Sequence, residues 1–316
     1  MDNPQQDPAW ERKTLEKLAF ASLAEQRARR RWGIFFKLLG FAYVAVILFT
    51  LVDWEKGPIH DKHTALVSLE GTIAAKGEAN AENLISALDA AFEAEQSVGV
   101  VLRINSPGGS PVQAGLVNDE IRRLRGKHPD KPLYVVVEDI CASGGYYVAA
   151  AADKIYVNKA SIVGSIGVLM DGFGFTGAME KLGVERRLLT AGENKGFLDP
   201  FSPLPEKQKA FAAALLKDIH QQFIDVVKAG RGDRLKDNPD LFSGLMWTGA
   251  QSIALGLADD YGSVDSVARD VLKAETVLDY SVKDNFAERF AKRFGAGAVD
   301  SLWRGISGAA SDFRLN

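Results

Sequence analysis

From Trp32 to Val52 the chain runs WGIFFKLLGFAYVAVILFTLV, 21 residues whose only charge is Lys37, and the last 15 carry none. Coiled as a helix, the run covers about 30 Å, the thickness of a bilayer's hydrocarbon core. A chain holding such a segment must bury it in lipid or in protein, and its flanks favour lipid. Arg27, Arg29, Arg30 and Arg31 precede the run, whereas Asp53 and Glu55 follow it. The positive-inside rule then keeps the N-terminus in the cytoplasm and sends residues after about 53 across the membrane. Lys37 lies near enough to the start to snorkel toward the headgroups. A cleaved secretory signal and a buried core helix are the competing readings. Against the first, 31 residues are long for a signal's n-region, and no small-x-small cleavage pattern closes the run at FTLVDWEKG. Upstream, Trp10 to Leu23 has helical apolar spacing at Leu15, Leu18, Ala19 and Leu23, suited to a partner or to the membrane surface.

The rest of the 316 residues narrows the chemistry. A single cysteine, Cys141, permits no internal disulfide and no cysteine-based zinc site. Four scattered histidines (His60, His63, His128, His220) do not suggest a metal centre, so neither metal nor cofactor is expected. A net charge of -3 argues against nucleic acid as the main partner.

Residues 1–31 read as a cytoplasmic segment, 32–52 as the transmembrane helix, 53–63 as a polar linker with Gly57 and Pro58, 64–283 as the main domain and 284–316 as a helical tail. In the tail Phe286, Phe290 and Phe294 recur every four residues. Within the domain, strands are predicted at Ala65–Ile73, Val98–Ile104, Pro132–Asp139 and Ile155–Val157. Helices are predicted at Glu82–Glu93, Gln113–Arg125, Gly144–Ala152 and Pro205–Ala229, with a further one capped by Thr248. This alternation implies an α/β fold with a parallel sheet, and function at the loops after the strands' C-terminal ends.

Two glycine loops occupy such positions, Asn105-Ser106-Pro107-Gly108-Gly109-Ser110 and Cys141-Ala142-Ser143-Gly144-Gly145-Tyr146-Tyr147. Adjacent glycines expose backbone N–H groups, as an oxyanion site requires. Taken locally, Gly108-Gly109 reads as a turn and Ser143 as the N-cap of a helix starting at Gly144. If Ser143 is instead a nucleophile, it needs a base. No histidine lies between His128 and His220, which disfavours a Ser-His-Asp triad. A lysine can serve when neutral. At a reference pKa near 10.4 only about one lysine in 2,500 is neutral at pH 7, but apolar burial can lower that pKa to roughly 7 to 8. Lys154, Lys159, Lys181 and Lys195 are all candidates, and local sequence does not choose among them.

Five ordered blocks go further. INSPGGS (Ile104 to Ser110), ASGGYYVAAAADKIYVN (Ala142 to Asn158), GSIGV (Gly164 to Val168), GENKGFLDPFSPLPEKQ (Gly192 to Gln208) and WTGAQSIALGLAD (Trp247 to Asp259) resemble the signal peptide peptidase A family. The family consists of serine proteases with a Ser/Lys dyad on a Clp-protease/crotonase-like fold. The resemblance implies a repeated ββα core, with Ser143 as nucleophile and Lys195 as general base. It further implies Ser165 as the serine holding the lysine amine, and Gly109 and Gly144 as oxyanion-hole donors. Cys141, Ile162-Val163 and Gly196 to Asp199 depart from the family pattern. S-G-G-Y occurs once, as in the short forms, so the resemblance implies a homo-oligomer in which the serine and lysine come either from one chain or from neighbouring ones.

The implied activity is that of a membrane-anchored endopeptidase, its domain on the periplasmic side of a bacterial inner membrane, cutting remnant signal peptides and similar apolar segments through an acyl-enzyme. Two other functions are compatible with such a fold. One is an acyl-CoA-binding crotonase-like enzyme, disfavoured because neither glycine loop carries a glutamate placed as a hydratase base. The other is a catalytically silent membrane scaffold, disfavoured by the intact Ser143, Ser165, Lys195 and both glycine pairs.

Overall fold

A computed structural model of the chain describes residues 8–51 and 61–282, the side chains of 8, 9, 11 and 47–51 excepted. Residues 1–7, Val52, the linker residues 53–60 and the expected tail over 284–316 lie outside the described residues. The chain divides into two units, Met1–His60 and Asp61–Asn316.

Among the described residues the first unit is one helix, α1 (Pro8–Leu51), which carries the Arg cluster and continues into the apolar run as far as Leu51. Its described apolar side chains from Trp32 to Val46 are largely exposed, Phe41 at 80%. Among the described residues no helix is long and apolar enough to cross a membrane. The expected span ends in residues whose side chains lie outside that description.

The second unit is a mixed α/β domain with a mostly parallel sheet. Its first elements are β1 (His63–Glu70), α2 (Ala81–Glu93), β2 (Ser97–Ser106), α3 (Pro111–Lys127), β3 (Leu133–Ala142), α4 (Gly144–Ala149), β4 (Lys154–Val157) and β5 (Ile162–Gly164). After α5 (Thr176–Lys181) and the long α6 (Glu206–Arg231) come β6 (Met246–Thr248), α7 (Gly249–Ala254), β7 (Asp260–Tyr261) and β8 (Val277–Asp279). The strand order is β6-β5-β3-β2-β1-β8, with β4 and β7 branching from β3. Among the described strands only β5 with β6 is antiparallel.

Local sequence accounts for these elements. The apolar run of β2 is covered on both faces, as central parallel strands are. Ala65, Val67, Leu69, Leu102 and Ile104 pack under the apolar stripe of α2 (Leu84, Leu88, Ala91, Phe92) and under Ile121 and Leu124 of α3. On the other face Leu66, Val101, Val136 and Tyr156 pack with Val267. Helix starts follow the capping rules: Asn80 Oδ1 accepts from Asn83 N at 2.8 Å, and Ser110 caps α3 with Pro111 beside it. Thr248 and Gln251 form a reciprocal capping box on α7.

One irregularity matters for function. β3 is forked: Tyr134–Val136 pair with β4, whereas Ile140–Ala142 pair with Ile162–Gly164 of β5. The register sets Ala142 opposite Gly164, so the next residues, Ser143 and Ser165, emerge side by side where two parallel strands end.

Candidate active site

Ser143 follows β3 and precedes α4, with φ 51° and ψ -122°. That is the left-handed half of the map, which costs a non-glycine residue on the order of 1–3 kcal/mol and persists only where the surroundings enforce it. Here they do, because Ser143 N donates to Gly164 O at 2.8 Å and Ser143 O accepts from Tyr147 N at 2.9 Å. The side chain makes no capping hydrogen bond. Ser143 does stand at the N-cap position of α4, as its local sequence reads, but the side chain does not cap: among the described residues its half-buried hydroxyl is uncommitted.

The second glycine loop is pressed against this turn. A Cβ on Gly108 would fall 2.6 Å from Gly144 N, 2.7 Å from Ala142 O and 2.8 Å from Ser143 Cβ. One on Gly144 would fall 3.2 Å from Gly109 N. Gly109 has φ 145°, and a side chain there would run into the Ile73 carbonyl, because Ser110 N and Gly108 O clasp Ile73 from both sides. Only glycine fits, and the clasp leaves Gly109 N turned away from Ile73. Among the described residues neither Gly109 N nor Gly144 N has an acceptor in the chain. Ser106 shapes the loop from beneath, its hydroxyl donating to Gly71 O at 2.6 Å and accepting from Gly108 N at 3.1 Å.

The helix behind Ser143 is fixed in the core. Tyr146 is fully buried and donates to Leu257 O at 2.7 Å. The buried Asn118 amide donates to Tyr147 O at 2.7 Å. Cys141 is enclosed below the turn, and burial pushes its thiol pKa up, so it stays protonated. The cysteine thus fills core space where the family resemblance implies a small or hydroxyl residue.

Ser165 repeats the backbone of its neighbour, with φ 51°. Its N–H donates to Leu245 O at 2.8 Å and its carbonyl accepts from Gly167 N at 2.9 Å, closing a tight turn. Ser143, Ser165, Gly109 and Gly144 are thus brought together.

Lys195 is not joined to them. It is exposed, in a turn where its N–H donates to Gly192 O at 3.1 Å. Among the described residues no hydrogen bond or ion pair engages its amine, and none links Lys154, Lys159 or Lys181 to either serine. Lys159 lies instead over the Tyr261 ring, 5.8 Å from its centroid. The loop bearing Lys195 is nevertheless organised. Asp199 accepts from Ser202 Oγ at 2.6 Å and pairs with Arg186, hydrogen bonds that hold its carboxyl below the usual range. Leu198 N, at φ 55°, donates to Gln208 Oε1 of α6 at 3.1 Å. Phe197 meets Phe211 of α6 edge to face at 5.5 Å.

Two contributors have no sequence motif. Phe223 of α6 packs on Tyr147 at 5.1 Å, and His220 Nε2 lies 3.0 Å from Ile166 O, in the turn that carries Ser165. Their helical spacing along α6 is visible in the sequence, but the loop they meet is not.

Residues 125–278 match Peptidase family S49. The chain is 30% identical over 272 residues to the putative signal peptide peptidase SppA of Enterococcus faecium, covering 82% of this chain and 77% of that protein. It is 29% identical over 266 residues to the probable protease SohB of Haemophilus influenzae, covering 84% and 72%. It is also 49% identical over 182 residues to the Na(+)/H(+) antiporter NhaA of Brucella melitensis, covering 58% of this chain but 25% of that protein. The chain spans a quarter of that protein's length, so the antiporter name is carried by a protein most of which has no counterpart here.

Proposed function

Because the chain belongs to the signal peptide peptidase A family, Peptidase family S49, we propose that it is a membrane-anchored serine endopeptidase on a Clp-protease/crotonase-like fold. Its substrates are remnant signal peptides and similar apolar segments. Ser143 is the nucleophile, Lys195 the general base and Ser165 the serine that orients the lysine amine. The single observation that carries this reading is the turn at Ser143. An uncommitted hydroxyl is held at φ 51° beside two unspent backbone donors, Gly109 N and Gly144 N.

The chemistry follows from those groups. Neutral Lys195 accepts the Ser143 proton as Oγ attacks the scissile carbonyl, and the oxyanion takes hydrogen bonds from the two glycine amides, a stabilisation worth about 3–4 kcal/mol per donor. Lys195 returns the proton to the leaving amine. Water then hydrolyses the acyl-enzyme, with the lysine again as base. No step calls for a metal or cofactor.

Lys195 reaches Ser143 in an assembly. The segment from Leu169 to Leu204 is almost wholly exposed and holds large apolar side chains in the open, with Leu189 at 95%, Phe173 at 81% and Leu169 at 80%. Such a surface calls for a cover, and a neighbouring protomer supplies one. Covering the arm also removes water from around Lys195, which favours the neutral amine. The sites are then shared between protomers of a homo-oligomer.

The membrane anchor is the apolar run of α1, with the Arg27–Arg31 cluster in the cytoplasm and the catalytic domain on the periplasmic side of the inner membrane. Hydrolysis of an apolar peptide by the full chain tests the assignment. Ser143→Ala and Lys195→Ala should each lower kcat by about 10⁴-fold. Wild-type turnover in either variant rejects that residue's role.

A further inference from the structure

Among the described residues His220 is the one histidine that comes near the candidate site, and its geometry rules it out as base while giving it another task. Its Nε2 lies 3.0 Å from Ile166 O. A carbonyl oxygen only accepts, so Nε2 carries the proton and donates. The nitrogen facing the site is therefore spent on the backbone.

We propose that His220 is a positioning residue that holds the Ser165 turn in register with Ser143, through the hydrogen bond from Nε2 to the Ile166 carbonyl. The inference rests on the peptidase reading above, since it concerns the serine that orients the lysine.

Ser165 sits in a conformation that its own residue type disfavours. On its N-terminal side β5 pairs with β3 and β6, and Ser165 N is bonded to Leu245 O. On its C-terminal side regular pairing has ended, and Ile166 is held by its buried side chain and by His220. Removing the imidazole leaves a carbonyl unpaired in the turn that fixes the Ser165 hydroxyl.

The donor is mounted on a rigid element. One turn further along α6, Phe223 packs on Tyr147, which lies in the helix that Ser143 opens. Val227 is fully buried, and the fully buried Arg231 is clamped to Asp259 at 2.8 and 2.9 Å. The same face of α6 therefore touches the Tyr147 ring in the helix behind Ser143 and the Ile166 carbonyl beyond Ser165, and fixes one relative to the other. At this range a shift of about 1 Å in a catalytic group costs on the order of a hundredfold in rate.

The test uses the full chain and an apolar peptide substrate, with kcat, KM and thermal unfolding measured for each variant. In His220→Phe, which keeps the ring but not the donor, kcat should fall by about ten- to a hundredfold with KM within about twofold. His220→Gln places an amide nitrogen near the position of Nε2 and should restore kcat to within about threefold. His220→Asn, whose amide nitrogen is too short to reach Ile166 O, should remain low. If His220→Phe melts below the assay temperature, the Gln and Asn variants decide the question. Equal kcat in those two folded variants, or wild-type kcat in folded His220→Phe, overturns the proposal. Wild-type turnover in Ser143→Ala would instead overturn the peptidase reading beneath it.

Discussion

Ser143 and Ser165 adopt the same φ of 51° one strand apart, and both are held there by bonds to residues distant in sequence: Gly164 O for one, Leu245 O for the other. This is why local sequence places Ser143 at the helix N-cap, where it stands, yet misses that its side chain does not cap. A serine before Gly-Gly at a helix start satisfies every capping preference, and nothing within four residues on either side reports that the hydroxyl is left free. The glycines were more legible, because Gly108 and Gly109 each fill a place where a Cβ meets backbone. Gly109→Ala tests that reading at its most demanding point. The added methyl would strike the Ile73 carbonyl, so the loop must swing and carry the Gly109 N–H away from the oxyanion position. Activity should fall by about a hundredfold or more, with a stability cost of about 1–3 kcal/mol visible in thermal melts. Undiminished turnover would remove Gly109 from the oxyanion hole.

At the scale of elements, strands with a continuous apolar run and helices with a marked stripe stand where the sequence puts them. At the C-terminal end β2 runs to Ser106 rather than Ile104 and β3 to Ala142 rather than Asp139, and Ile73 leaves β1 to make a single bridge with Gly109. β5, β6 and β8 are three residues each and β7 two, too short for any periodicity to announce them. They form because neighbours pair with them, and β5 is what sets Ser165 beside Ser143. α6 was legible as an amphipathic helix, but its anchor was not. Arg231 is fully buried and bidentate to Asp259, which also accepts from Ile155 N at 2.7 Å and pairs with Arg234. Burial alone would raise the Asp259 carboxyl, but the Arg231 hydrogen bonds and charge outweigh it and hold it below the usual range. A depressed carboxyl stabilises the fold above its unfolded pKa, near 3.9, and loses that contribution as pH falls through its lower folded value. Asp259→Asn should therefore cost about 3–5 kcal/mol near neutral pH, by leaving a buried guanidinium uncompensated. The difference from wild type should shrink as the wild type is acidified below about pH 4. Equal denaturant midpoints for the two proteins at pH 7 would show that the pair does not anchor α6.

At the scale of the whole molecule, the domain buries its sheet well but leaves several large apolar side chains exposed on the arm that bears Lys195. Phe175 and Phe201 stack at 5.4 Å, and Arg186 lies over the Phe201 ring, so the arm has a small aromatic centre of its own. Leu169, Phe173, Leu182 and Leu189 nevertheless face outward. If neighbouring protomers cover this surface, Leu189→Asp should give a smaller species in sedimentation velocity, with peptide hydrolysis falling together with the assembly while the thermal melt of the domain is retained. Wild-type activity in a dispersed Leu189→Asp protomer would mean that one chain completes its own dyad. A mixing experiment separates the two arrangements without disturbing the interface. Ser143→Ala protomers keep Lys195, and Lys195→Ala protomers keep Ser143. With dyads shared across an interface, random co-assembly of equal amounts pairs an intact serine with an intact lysine at about a quarter of the sites, so activity should recover to about that fraction of wild type. With dyads built inside one chain, every site lacks one partner and the mixture stays as inactive as its components.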